Sequence, residues 1–194
     1  TLTTWYGIRW CSASCRPMRR SQTDQIVSVR RRTRHAAAAG RQQPPIIAVT
    51  RQGCRDRVPA RRLLQRWAVA ALGRKVAGRE ISVLLVDPVR SRRLNRRYRG
   101  RNHSTNVLSF PAALVANEPA VSLGDLVICP QVLNREAREQ GKRREAHWLH
   151  LYVHGLLHLI GYDHEHACDA ERMERREIRV LRQLGVGNPY RSNR

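Results

Sequence analysis

The histidines near the carboxyl end constrain this 194-residue chain more than any other feature. The segment from His154 to His164 reads HGLLHLIGYDH and holds three imidazoles, at i, i+4 and i+10. On a helix, His154 and His158 lie one turn apart on the same face. Gly161 can end that helix in the left-handed conformation that glycine tolerates best, so the chain can turn back and bring His164 towards the other two. The segment therefore predicts a helix end at which three imidazoles meet.

Three neutral imidazoles are a ligand set typical of a zinc site that keeps its fourth position open. We therefore predict that His154, His158 and His164 bind one Zn²⁺ per chain and that the site is catalytic. His147 and His150 continue the same stripe upstream. Because a straight helix cannot aim four successive turns at one ion, we expect these two to pack, or to hydrogen-bond behind the ligands.

The spacing of the three histidines matches the zinc-peptidase pattern HExxHxxGxxH at every position but one. The glutamate that serves as general base in such peptidases is replaced by Gly155, which has no side chain. The sequence therefore predicts a similar metal site without peptidase chemistry.

Three blocks of the sequence follow a pattern known from one family. Residues 154–164 are similar to the signature HGxLHLxGYDH, residues 94–111 to LNxxYR followed by T[DN]VLSFP, and residues 123–129 to LGD[IL]xIx. Their order and spacing across residues 46–190 resemble the YbeY family, bacterial metal-dependent endoribonucleases of rRNA maturation. The chain departs from the family pattern within residues 94–111, between Arg99 and Thr105. There Arg101, Asn102 and Ser104 replace the usual Lys-Asp and proline.

The resemblance implies both an activity and its setting. It implies a single-strand-specific endoribonuclease that acts in 16S rRNA 3′-end maturation and ribosome quality control in the cytoplasm. The implied partners are single-stranded RNA and rRNA, the small ribosomal subunit and its assembly proteins, with no role for DNA. Either a water activated by the metal or the neighbouring 2′-hydroxyl would attack the phosphodiester, and the sequence leaves both routes open.

Arg99 is the predicted catalytic residue outside the histidine segment. It stands where a predicted helix gives way to the loop before Thr105, and it matches the arginine of the family motif. The planar guanidinium can hold a phosphate through two hydrogen bonds and offset charge that develops on its oxygens. We expect Asp163 to orient a ligand, although a role as base also remains open.

Hydrophobic periodicity predicts an α/β (α+β) domain of four strands and four or five helices. The resemblance likewise implies a small mixed four-stranded sheet covered by helices. The predicted strands are 46–50, 81–86, 107–110 and 126–128. One predicted helix follows Pro59 and extends to residue 72, and a second begins at Pro88 with Asp87 as its N-cap. Three more span about 130–140, 143–160 and 169–184. The last helix should turn Met173, Ile178, Val180 and Leu181 inward.

Charge is the second strong feature of the sequence. The net charge is +22, carried by 35 arginines and only 2 lysines against 15 acidic residues. A field of this sign attracts polyanions, and nucleic acid is the expected partner. Because aromatic residues make up only 5% of the chain, we expect phosphate contacts rather than base stacking to dominate.

Residues 1–43 stand apart from the predicted domain, residues 44–194. They hold nine arginines and a single acid, Asp24, without sustained periodicity. Three interpretations remain open: an upstream extension that forms a disordered basic arm, a mitochondrial-type presequence, or an RNA-binding arm. The five cysteines are odd in number and unpatterned, which is typical of reduced thiols in a cytosolic protein. No apolar run reaches the roughly 18 residues of a membrane span.

Two other functions compete with RNA cleavage. A non-catalytic zinc-containing ribosome-assembly or RNA-binding factor would use the same histidines structurally. A zinc metallopeptidase would use them for another reaction, and Gly155 argues against it.

Overall fold

Four strands form one sheet on which helices pack in the computed structural model, which describes residues 43–112, 122–164 and 166–190. The extension predicted for residues 1–43 lies outside the described residues except for its last one. In chain order the elements are β1 (Ile46–Gln52), α1 (Arg61–Leu72), a 3₁₀ turn (Gly73–Val76), β2 (Glu80–Val86), α2 (Pro88–Arg99), β3 (Val107–Pro111), β4 (Ser122–Ile128), α3 (Pro130–Glu139), α4 (Arg144–Leu159) and α5 (Ala167–Gln183).

The sheet has four strands in the order β1-β2-β4-β3. Strands β1, β2 and β4 are parallel, and β3 pairs antiparallel with β4 at one edge. This confirms the predicted mixed four-stranded sheet. Strand β4 begins at Ser122, four residues before the predicted start at residue 126. The prediction followed the apolar run alone, whereas Gly124 and Asp125 pair in the ladder without contributing to that run.

The two faces of the sheet are covered unequally. Helices α1, α4 and α5 pack on one face, where the larger core includes Ile47, Ile81, Leu126, Trp148, Tyr152 and Leu181. On the other face, a smaller core around Leu84, Leu108 and Val127 packs against Leu94 of α2. The predicted metal-binding histidines therefore lie on the face of the sheet with the larger core. Arg99 belongs to α2, on the face with the smaller core.

Helix α4 is buried along almost its whole length. Every residue from His147 to Leu159 is buried, and apolar side chains surround the helix. A helix that is hydrophobic on all sides belongs in the centre of a fold, because no face of it gains from contact with water. The histidines of α4 are therefore held in a dry and tightly packed environment.

Helix α2 begins as predicted, with Asp87 as its N-cap and Pro88 in the first turn. The Asp87 carboxylate accepts a hydrogen bond of 2.7 Å from the backbone N–H of Arg90. In α5, Met173, Val180 and Leu181 face inward as predicted. Ile178 is only half-buried, and Glu177, which the prediction did not place inside, is completely buried instead.

Three cysteines lie within the described residues, Cys54, Cys129 and Cys168, and all three are free, as predicted. Cys11 and Cys15 lie outside the described ranges. None of the helices in those ranges combines the length and the apolarity needed to cross a membrane.

Candidate metal centre

Three imidazoles converge where α4 ends, as the sequence predicted. One ligand nitrogen from each of His154, His158 and His164 lies within 4.8 Å of the others. The ring centroids are separated by 4.8 Å for His154 and His158, 5.0 Å for His158 and His164, and 5.6 Å for His154 and His164. No other group of three or more potential metal ligands of this kind occurs among the residues that the structure describes.

The turn after α4 brings His164 back to the helix. Gly161 adopts φ = 88°, in the region that glycine occupies without strain. The backbone N–H of Gly161 bonds to the carbonyl of His158 at 3.1 Å, and that of Tyr162 bonds to the carbonyl of Leu157 at 3.1 Å. These bonds close the last turn of the helix and reverse the chain within three residues of His164.

Asp163 bonds to the backbone of the last histidine. Its Oδ1 accepts a 2.7 Å hydrogen bond from the backbone N–H of His164 and lies 3.8 Å from Nδ1 of the same residue, beyond hydrogen-bond distance. The Asp163 side chain is about half exposed, at 48%. An orienting role for Asp163 stays a prediction.

The surroundings hold two of the imidazoles neutral. Burial lowers the pKa of His158 to about 2, with further contributions from the charges of His154, His164 and Arg99. Burial also lowers the pKa of His164 to about 4, and His154 and Arg99 add to the effect. A histidine must be deprotonated to bind a metal ion. At neutral pH these two rings are therefore already in the form that a metal requires.

A buried carboxylate lies behind the first imidazole. Glu177, on α5, accepts a 2.7 Å hydrogen bond from Nδ1 of His154 and lies 3.3 Å from Nε2 of His150. The hydroxyl of Tyr190 donates to the same carboxylate. Burial alone would raise the pKa of Glu177, but His154 and His150 outweigh it, so that the pKa lies well below its ordinary value. The carboxylate stays charged and leaves the Nε2 side of His154 to the cluster.

Sequence reasoning missed Glu177. A signal was present, because the inward positions of α5 follow the spacing 173, 177, 180 and 181, and an acid stands at the second of them. A carboxylate on the apolar stripe of an amphipathic helix needs a buried partner. Its partner, His154, is 23 residues away in sequence, so the pairing became visible only in the fold.

His147 and His150 do not belong to the cluster, in keeping with their prediction. His150 contacts Glu177, with its Nε2 3.3 Å from the carboxylate. Nε2 of His147 lies 3.4 Å from Glu136, which also accepts a 2.8 Å hydrogen bond from the amide of Asn106. His147 thus ties α4 to α3 and to the start of β3.

Arg99 is the last residue of α2. Its positive charge is the smallest of the named contributions that lower the pKa of His158 and of His164, which places it within electrostatic range of the cluster. Next to it, the ring of Tyr98 packs edge-on against Phe110 of β3, with centroids 5.0 Å apart. The end of α2 is thereby held against β3.

Two buried polar residues on the inner face of α2 fix the loop that follows Arg99. The hydroxyl of Ser91 donates to the carbonyl of Thr105 at 2.8 Å and accepts from the backbone N–H of Thr105 at 2.9 Å. The amide of Asn95 donates to the carbonyl of His103 at 2.8 Å. Gly100 ends the helix with φ = 69°. The backbone around Arg99 is thereby held on both sides of the side chain.

The loop also contains the departures from the family pattern. Asn102 accepts a 2.9 Å hydrogen bond from Nε of Arg92. A neutral amide at this position satisfies the hydrogen bond but leaves the charge of Arg92 unneutralised.

Gly155 packs against the sheet. A Cβ at this position would lie 3.0 Å from Leu126 Cδ2, 3.2 Å from Val107 Cγ2 and 3.3 Å from Ser109 Oγ. A side chain at this position would therefore force Leu126, Val107 and Ser109 to give way by a few tenths of an ångström. The close packing favours glycine here over the glutamate of the zinc-peptidase pattern.

The donor set fits a borderline transition metal. Three imidazoles with lowered pKa values or a carboxylate partner favour Zn²⁺ and its neighbours over Mg²⁺ or Ca²⁺, which take oxygen ligands. The bond from His154 to Glu177 follows the carboxylate–histidine–metal arrangement common in such sites. Behind His154 and His164, a cavity of about 190 Å³ lies between α4 and α5.

Comparisons with known proteins identify the family of the chain. The family described as Endoribonuclease YbeY matches residues 55–185. A protein of that name from Alkalilimnicola ehrlichii is 52% identical over 138 residues, which cover 69% of this chain and 83% of the relative. Another from Stenotrophomonas maltophilia is 43% identical over 152 residues, covering 76% of this chain and 94% of the relative.

Among solved structures, TM1509 from Thermotoga maritima is 22% identical, with a TM-score of 0.46 over 75% of this chain and 99% of that protein. The family match spans residues 55–185, a range that includes the positions of the three histidines and Arg99, and the sequence relatives cover 69–76% of the chain. The chain therefore belongs to the YbeY family of endoribonucleases.

Proposed function

We propose that this protein is a metal-dependent endoribonuclease that cleaves single-stranded RNA, and that it acts in 16S rRNA 3′-end maturation and ribosome quality control. The observation that carries the proposal is the meeting of two kinds of group at one place. Three imidazoles that suit a metal ion lie within electrostatic range of Arg99, whose guanidinium suits a phosphate. The names of the relatives give the same class of reaction.

The histidines are the proposed ligands. His154, His158 and His164 would hold a single Zn²⁺, and Glu177 would keep His154 oriented through its Nδ1. When bound, a zinc ion supplies Lewis-acid polarisation of the phosphate and activation of the attacking group. The ligand set leaves coordination positions for the substrate, as in other catalytic zinc sites.

Arg99 is the proposed catalytic residue. A phosphate that lies between the cluster and the end of α2 would receive two hydrogen bonds from its planar guanidinium. The negative charge that builds up on the phosphate oxygens during cleavage would then be stabilised from the protein side. Because the loop after α2 is fixed through Ser91 and Asn95, this donor is positioned before the substrate arrives.

The physiological substrate that we propose is the 3′ end of small-subunit rRNA, reached on the ribosome with its assembly proteins. A net charge of +22 supports a large polyanionic partner. Free cysteines in the described residues agree with a cytoplasmic location, which this substrate requires.

The test is cleavage of a labelled single-stranded RNA that spans the 3′ end of precursor 16S rRNA. We expect cleavage that a chelator abolishes and Zn²⁺ restores, with a perfectly paired duplex of the same sequence left intact. His158→Ala protein is the matched negative control for contaminating nuclease.

Failure to cleave with any divalent metal, combined with intact RNA binding, would establish the alternative of a non-catalytic ribosome-assembly factor. Cleavage of this RNA at many unrelated positions would support the nuclease and contradict the specific role at the 3′ end.

A further inference from the structure

The outer face of α2 carries a concentration of positive charge that the metal centre does not explain. The twelve residues of this helix include six arginines and no acid. Four of them, at positions 92, 93, 96 and 97, are exposed to solvent. We call these four residues the arginine face.

The arginine face is not neutralised within the described part of the protein. The ion pairs found there lie in α3, α4 and α5 and around His164, and none of them includes an arginine of this face. Arg92 bonds to the neutral amide of Asn102, and Arg97 lies over the ring of Tyr98, 5.6 Å from its centroid. Both contacts leave the positive charge in place.

The arrangement is unfavourable for an isolated helix. Arg92 and Arg96, and Arg93 and Arg97, stand four residues apart and repel each other along the same side. Basic residues are favoured in the last turn of a helix by its dipole, which accounts for Arg96, Arg97 and Arg99. It does not account for Arg92 and Arg93, which lie in the middle. An external anion would relieve this repulsion.

Helix α5 shows that an arginine-rich composition alone does not produce such a face. It carries five arginines and four acids, and Arg175 pairs with Glu171 at 2.9 Å. Its charges nearly cancel, as on an ordinary solvated helix surface. The imbalance on α2 is therefore a property of that helix and not of the whole chain.

The arginine face leads to the reaction centre. Arg92, Arg96 and Arg99 stand at i, i+4 and i+7, which places them in one stripe along α2. The stripe covers about 10 Å of helix axis at 1.5 Å per residue. The end of this stripe adjoins β3, because the ring of Tyr98 packs on Phe110 with centroids 5.0 Å apart. On the same strand, Ser109 Oγ would lie 3.3 Å from a Cβ on Gly155, the residue after His154. An anion that extends along this stripe would therefore approach the metal centre.

We propose that the arginine face of α2 binds the phosphate backbone of the single-stranded RNA that enters the metal centre. This inference rests on the proposed nuclease function and adds the path of the substrate. Phosphates on one side of the scissile bond would contact Arg96, Arg92 and then Arg93, while Arg99 holds the scissile phosphate. Contacts of this kind position the strand without reading its sequence.

The test compares two triple variants that remove equal charge. R92Q/R93Q/R96Q takes three charges from the arginine face, and R175Q/R179Q/R182Q takes three from α5. Glutamine resembles arginine in helix propensity, so both proteins should fold, which circular dichroism would check. Affinity for a labelled single-stranded oligoribonucleotide is measured in the cold over a range of salt concentrations, on full-length, metal-loaded protein, with the RNA shown intact on a gel.

We expect the α2 variant to lose about 2 units from the slope of log K against log salt, because each phosphate contact contributes about 0.7 for a single strand. At physiological salt its affinity should fall by at least about tenfold. The α5 variant should change the slope by less than about 0.5. R92K/R93K/R96K, which keeps the charge, should retain the slope.

Equal changes of slope in the two triple variants would overturn the proposal, because binding would then follow net charge alone. An unchanged slope in the α2 variant would overturn it as well. The affinity measurement does not depend on whether the protein cleaves the RNA. If the unmodified protein bound RNA and never cut it, the proposed function would fail, whereas the slopes would still decide whether α2 carries the RNA.

Discussion

Helices α2 and α4 pack on opposite faces of the same sheet, and they differ almost completely in polarity. Helix α4 is buried from His147 to Leu159, and its only ionisable groups in that span are histidines and a tyrosine. Half of the residues of α2 are arginines, and only Ser91 and Asn95 are buried. The two helices are linked electrostatically, because the charge of Arg99 at the end of α2 contributes to the lowered pKa of His158 and His164.

The difference in polarity follows from what we propose that each helix binds. A metal ion needs neutral imidazoles, and burial is what keeps the pKa of His158 low. A phosphate chain needs charges that remain in solvent until the ligand arrives, because a buried arginine would need a carboxylate partner. Under our two proposals, the buried helix α4 would supply the metal ligands and the exposed helix α2 would supply the contacts to the substrate.

The largest effect should come from removing an imidazole of α4. His158→Ala leaves two histidines, so we expect zinc affinity to fall by more than roughly 100-fold, beyond the loss typical of an outer partner, and cleavage to disappear. His147→Ala removes an imidazole from the same helix that contacts Glu136 instead, and it should keep its metal. Metal analysis of both purified proteins is the measurement. Full zinc content in His158→Ala protein would show that the cluster is not the metal site.

The next effect tests the point where the two helices meet. Arg99→Lys keeps the charge but loses the planar fork, so cleavage should fall by about 10²–10³-fold, as for loss of one transition-state donor. Affinity for RNA should hardly change, because the arginine face is intact. Arg93→Lys is the matched control and should cleave normally. Single-turnover kinetics separate the two steps, and a loss of affinity with normal cleavage would place Arg99 among the binding residues.

A smaller effect should come from the carboxylate behind α4. Glu177→Gln keeps the shape of the side chain but removes the charge that orients His154, so zinc affinity should fall by about 10- to 100-fold. Glu171→Gln, on the exposed side of α5, should bind zinc normally. Competition with a chromogenic chelator measures both affinities. Equal affinities would mean that Glu177 serves only to stabilise the fold.

The contrast between the helices also explains how much the sequence could predict. The histidine spacing and Gly161 predicted the cluster, because all of its parts lie within eleven residues and follow local helix and turn geometry. The strands and helices followed from periodicity. The order of the strands, with β3 antiparallel at the edge, depends on packing across the whole domain. The same holds for Glu177, whose contact joins two helices, and for Arg99, which only the resemblance to a family singled out among 35 arginines.

The smallest effect concerns pH and should come from the buried histidines of α4 and from His164, whose pKa is lowered to about 4. In metal-free protein, the folded state keeps His158 neutral with a pKa of about 2, whereas the unfolded chain has the ordinary value near 6.5. As the pH falls from 7.5 to 5.5, the unfolded state takes up a proton that the folded state does not. The free energy of unfolding should therefore decrease, by about 1.4 kcal/mol from His158. His150, whose pKa burial also lowers, adds to the decrease.

Glu177 acts in a different window, because its pKa is lowered from an ordinary value of 4.5, and its contribution is lost only below that pH. Urea unfolding of chelated protein at pH 7.5 and 5.5 measures the effect. Arg93→Gln changes the charge of α2 without a group that titrates in this range, so it should show the same difference between the two pH values. Equal stability of the unmodified protein at the two pH values would contradict the burial of neutral histidines in α4. It would also contradict the contrast between the buried helix α4 and the exposed helix α2.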